Sequence, residues 1–163
     1  MRIVSLSIIA LLAFASRGLA DPVAEKNVGV GLGVGVATGP NVQLASSHMG
    51  QLDIGFGFQF DDRLRVQTDY AWRLIDLSAS RSVALPLYLG VGGFLTDRRS
   101  GYNDGGVRMP IGLQADFARA PLQVFGELSP ELVVVRVSDR TMEPPPASST
   151  LALTGLMGVR AAF

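Results

Sequence analysis

From Val28 to Val36 the chain reads VGVGLGVGV, a branched aliphatic at every even position and a glycine at every odd one. No other feature restricts the fold as much. A helix, with a side-chain period of 3.6, would scatter these residues around its surface, whereas a strand sorts them onto two faces. The same period returns in QLDIGFGFQF, where Leu52, Ile54, Phe56, Phe58 and Phe60 alternate with Gln51, Asp53, Gly55, Gly57 and Gln59. In RLRVQTDYAWRL, Leu64, Val66, Thr68, Tyr70, Trp72 and Leu74 oppose Arg63, Arg65, Gln67, Asp69, Ala71 and Arg73. In VRMPIGLQADF, Val107, Met109, Ile111, Leu113, Ala115 and Phe117 oppose Arg108, Pro110, Gly112, Gln114 and Asp116. Segments of about ten residues match the length a tilted strand needs to cross an outer membrane.

The polar faces separate this pattern from a soluble sandwich, whose polar face meets water while large side chains fill its core. Here Arg63, Arg65, Arg73, Arg108 and Arg160 share the polar faces with Asp53, Asp69, Asp116, Glu127 and Glu131, interleaved with Gly and Gln, and Lys26 is the only lysine. Balanced charge among glycines predicts the inside of a narrow closed barrel, in which Arg reaches across to a carboxylate and Gly makes room. The expected lumenal charge network is Asp53, Arg65, Asp69, Arg73, Arg108, Asp116, Glu127, Glu131 and Arg160.

Clusters of Gly, Pro, Asp, Asn and Ser punctuate strands. They fall at TGPN (38–41), SHMG (47–50), FDDR (60–63), IDLSASRS (75–82), TDRRSGYNDGG (96–106), ARAP (118–121) and DRTMEPPPASS (139–149). Seven connections make eight strands, the second a short one near Val42–Ser46. The predicted fold class is all-β, an eight-stranded antiparallel transmembrane β-barrel over residues 28–163. An even count puts both termini in the periplasm and makes 96–106 and 139–149 extracellular.

At the other end, Arg2, an apolar stretch from Ile3 to Ala15 and the small residues Gly18-Leu19-Ala20 read as a signal peptide over 1–20. That stretch falls short of the roughly 18 to 20 residues a spanning helix needs. A periplasmic segment, 21–27, follows. The chain has no cysteine, so disulfides and thiolate metal sites are excluded, and its net charge of zero indicates no nucleic-acid surface. The expected location is the cell outer membrane, as a monomer among outer-membrane lipid and lipopolysaccharide.

The chain closes on TGLMGVRAAF, with Met157, Val159, Ala161 and Phe163 in period-two positions. A terminal aromatic behind alternating apolar residues has the form of a C-terminal signal for barrel-assembly machinery. Those four residues are the expected assembly signal.

GVGVATGP, LRVQTDYAW, LPLYLGVGG, GGVRMPIGL and APLQVFGELSPEL, in this order, resemble the family of small uncharacterised outer-membrane β-barrel proteins of spirochaetes and other Gram-negative bacteria. The resemblance covers most of 28–163 and implies an eight-stranded barrel without an established biochemical activity. Relatives often carry a His shortly after the Asp-Tyr pair, where this chain has Trp72-Arg73. No role resting on that His is carried over.

Lipid-modifying barrels activate an attacking oxygen with a His placed beside a Ser. The only histidine, His48, adjoins Ser46 and Ser47 in a turn on the periplasmic side, away from the outer leaflet. GVGLGVG (29–35) lies within a strand and no helix follows it, so a phosphate-binding loop lacks its context. No catalysis, cofactor or metal is expected. An eight-stranded lumen is filled by side chains, which disfavours a channel. An apolar cavity for lateral diffusion would rest on Tyr88, Phe94 and Phe125 alone. Loops on a rigid scaffold carry function, and Arg98, Arg99 and Tyr102 could hold lipopolysaccharide phosphate or an extracellular protein partner. The expected role is structural or surface-interacting, the alternative a narrow transporter for small or apolar solutes.

Overall fold

The computed structural model describes residues 27–47, 50–59, 63–79, 82–98, 102–138 and 150–163. The expected signal peptide, His48, Arg99, the side chains of Arg98 and Tyr102, and the Pro144–Pro146 run lie outside the described residues.

Among the described residues nine strands follow in order: β1 (Val28–Gly35), β2 (Gly39–Ser47), β3 (Gly50–Phe58), β4 (Leu64–Ala79), β5 (Val83–Arg98), β6 (Tyr102–Arg108), β7 (Ile111–Phe117), β8 (Leu122–Ser138) and β9 (Thr150–Ala162). Strands adjacent in sequence pair antiparallel except β6 with β7, and β9 returns to pair with β1. β6 and β7 lie end to end between β5 and β8, so the single sheet closes as a ring with eight places.

The sixth place is split because Pro110 has no N–H to give the ladder. Gly90 N–H still donates to the Pro110 carbonyl at 2.7 Å, and Met109 N–H to Pro130 at 3.1 Å. Inner and outer positions therefore continue in step through the break, with Arg108 and Gly112 both turned inward. The strands also reach further than the turn-forming residues suggest: β2 starts at Gly39, β4 continues to Ala79, and β5 and β6 run to Arg98 and from Tyr102.

The ring is staggered. A row of register partners that leaves β5 at Ala84 passes Asp116, Gln123, Arg160, Gly31, Asn41, Gly55 and Gln67, and re-enters β5 at Phe94, ten residues further on. Ten residues at about 3.3 Å each, against eight strands at about 4.8 Å, incline the strands by about 40° to the ring axis.

The two faces are opposite in kind. Outside stand Leu32, Phe56, Phe58, Leu95, Val107, Leu113, Leu153 and Met157, all exposed, with Leu95 at 69% and Leu153 at 71%. Inside, the buried residues are mainly polar or charged, among them Asn41, Gln43, Asp53, Arg65, Gln67, Asp69, Arg108, Glu131 and Arg160. Buried Asp, Glu and Arg are rare in folded proteins unless they are paired.

Candidate functional site

One row of register partners sets the centre of the inner network: Gln43, Asp53, Asp69, Gly92, Arg108, Glu131. Asp53 and Asp69 are directly opposite one another, a like-charge pair that costs stability unless cations reach it. Arg108, 1% exposed, supplies one. Gly92 separates it from Asp69 and has no side chain, so Arg108 Nη1 comes within 3.3 Å of Asp69 Oδ2. The Cβ of any other residue at position 92 would collide with Asp69 Oδ1 and the Thr68 carbonyl.

The rest of the Arg108 guanidinium is equally occupied. Nη2 donates to Glu127 Oε1 at 2.6 Å, and Nε donates to Ser129 Oγ at 3.2 Å and lies 3.6 Å from Glu131 Oε1. Arg65 Nη2 donates to the same Glu131 oxygen at 2.6 Å, and Thr154 Oγ1 donates to it at 2.7 Å. Tyr88 repeats the device seen at Gly92. Its row runs Tyr88, Gly112, Glu127, and its hydroxyl passes over Gly112 to donate to Glu127 Oε2 at 3.1 Å.

Arg160 anchors a second group. It donates through Nε to Asn41 Oδ1 and through Nη1 to Gln123 Oε1 at 3.0 Å. Its Nη2 is 2.7 Å from Asp53 Oδ1, a close charge contact that lacks hydrogen-bond alignment. Asp116 accepts from Gln114, Gln123 and Arg73, the last at 3.0 Å. Arg73 also lies 3.8 Å from Asp76. Its side chain is 39% exposed, so it belongs to the rim of the network.

Two aromatic rings complete the packing in the same way. Phe94 is opposite Gly106 and Phe125 opposite Gly158, and each ring covers its glycine closely. Each ring also carries a guanidinium, Arg65 at 4.2 Å from the Phe94 centroid and Arg160 at 3.8 Å from that of Phe125, within cation–π range. Tyr88, Phe94 and Phe125 are buried against polar groups and so do not line an open apolar cavity.

The structure thus joins Asp53 with Arg160, Asp69, Glu127 and Glu131 with Arg108, and Arg65 with Glu131, while Arg73 and Asp116 pair at the margin. Asp104 with Arg136, 2.7 Å apart, forms a further pair that period-two reading of the sequence misses. A bulge at Gly105/Gly106 shifts the parity of β8 there. Met157, Val159 and Phe163 are exposed on the outer side, and Phe163 exchanges backbone hydrogen bonds with Val28 at 2.8 and 3.1 Å.

Compared with protein-family models, curated proteins and solved structures, the chain matches none of them.

Proposed function

We propose that the chain is an eight-stranded outer-membrane β-barrel, monomeric, with a structural or surface-interaction role and no catalysis. The observation that carries this reading is the sidedness of the ring: exposed aliphatic and aromatic side chains outside, paired Arg and carboxylates inside. Hydrocarbon tolerates a strand only where every backbone group is paired, which a closed ring provides. The inclination of about 40° lies within the range for such barrels, and about ten residues at that tilt cover an apolar band of about 25 Å.

A network that fills the lumen supports a scaffold over a conduit. Arg108 and Ser129 are fully buried, so a continuous water path would have to break several ion pairs at once. In this reading the partners are outer-membrane lipid and lipopolysaccharide, the machinery that inserts such proteins and, at the loops, an extracellular protein.

Two measurements test it. The folded protein should migrate differently from a boiled sample on a detergent gel, as stable barrels do, and should be silent in a planar bilayer. Identical migration would refute the barrel. Discrete conductance steps would favour the transporter.

A further inference from the structure

β1 brings no side chain to the inside of the ring, because its inner positions are Gly29, Gly31, Gly33 and Gly35. Yet its ladder with β9, from Gly29 opposite Ala162 to Gly35 opposite Leu156, is the pairing that turns the sheet into a ring. Side chains from other strands lie on this glycine bed. Arg160 is opposite Gly31, and a Cβ there would collide with Arg160 Cα and the Val159 carbonyl. From β9 its guanidinium crosses β1 to Asn41 on β2 and Asp53 on β3, while also holding Gln123 and stacking on Phe125 of β8.

We propose that Arg160 is the clasp that holds the ring shut at the seam between its first and last strands. A guanidinium offers five donors in a fixed planar fork, so one side chain can grip acceptors on both sides of β1 at once, which a lysine cannot do. The clasp rests on the ring geometry and is independent of the membrane assignment.

Hydrogen exchange on the folded chain in detergent micelles tests it. Alternate residues of a strand bond to alternate neighbours. Val28 and Phe163 exchange both backbone bonds, so the amides of Val30, Leu32 and Val34 face β9 and report the seam. Those of Gly31 and Gly33 face β2 and serve as an internal control. In Arg160→Met the three seam amides should exchange about ten-fold faster or more, with the two control amides near their original rates. Arg108→Met removes an equally buried guanidinium whose partners lie on β4 and β8, and should spare the seam amides. Uniform acceleration along β1, or unchanged seam amides, would overturn the clasp. If Arg160→Met does not fold, adding Val30→Cys with Ala161→Cys, which are opposite one another across the seam, should restore folding once the disulfide forms. Failure of that disulfide to restore folding would overturn the proposal, and rescue by Asp53→Asn in its stead would assign Arg160 only to charge neutralisation.

Discussion

Arg65 Nη2 lies 2.6 Å from Glu131 Oε1 although β5 and β6 stand between the strands that carry them. The bond therefore passes through the inside of the ring. A buried pair of this kind contributes less by its own attraction than by the penalty of leaving either charge alone.

Arg108 should show that penalty most strongly. Arg108→Leu leaves Asp69 and Glu127 without a close cation, and the loss should be about 3 to 5 kcal/mol in urea unfolding. With three carboxylates around one guanidinium, adding Glu127→Leu should recover only part of it. Full recovery by that single change would mean that Asp69 contributes nothing.

Two glycines should respond differently to alanine. Gly92→Ala puts a Cβ into Asp69 Oδ1 and the Thr68 carbonyl, and should cost about 1 to 3 kcal/mol by overpacking. At Gly126 an added Cβ meets nothing within 4 Å, so Gly126→Ala should leave the unfolding midpoint unchanged. Equal effects would contradict the close crossing at position 92.

The stack of Arg160 on Phe125 should appear as a coupling energy. In a double-mutant cycle of Arg160→Met and Phe125→Leu, the two losses should be non-additive by about 0.5 to 2 kcal/mol. Simple additivity would show that the 3.8 Å approach is packing alone.

Arg73 provides the contrast. It is partly solvated where it pairs with Asp116, and exposed pairs contribute about 0 to 1 kcal/mol. Arg73→Ala should therefore shift thermal unfolding far less than Arg108→Leu, and less still in high salt.

Which face a residue takes was legible because a strand has period two: Asp53, Asp69, Arg108 and Arg160 fall inward by parity alone. Their partners were not legible. Arg108 meets Asp69 because β5 offers Gly92 between them, and Arg160 meets Asn41 over Gly31, contacts fixed by a stagger of ten residues around the ring that no local pattern encodes. Strand ends were legible only loosely. Asp97, Asn103 and Asp104 read as turn residues, yet they join the ladder between β5 and β6, since a neighbouring strand outweighs local preference. Arg136 was hidden within VVVRV by the parity change at the bulge.

If the apolar outer face meets hydrocarbon, as proposed, a single tryptophan placed on it should sense the bilayer. Trp72 is the only tryptophan, so a Trp72→Phe, Leu113→Trp protein carries one reporter at an exposed outer position. Reconstituted into bilayers whose acyl chains bear bromine, its fluorescence should be strongly quenched, while iodide in the water should have little effect. Quenching by iodide with none by the brominated lipid would place that face in water and rule out the membrane-spanning barrel.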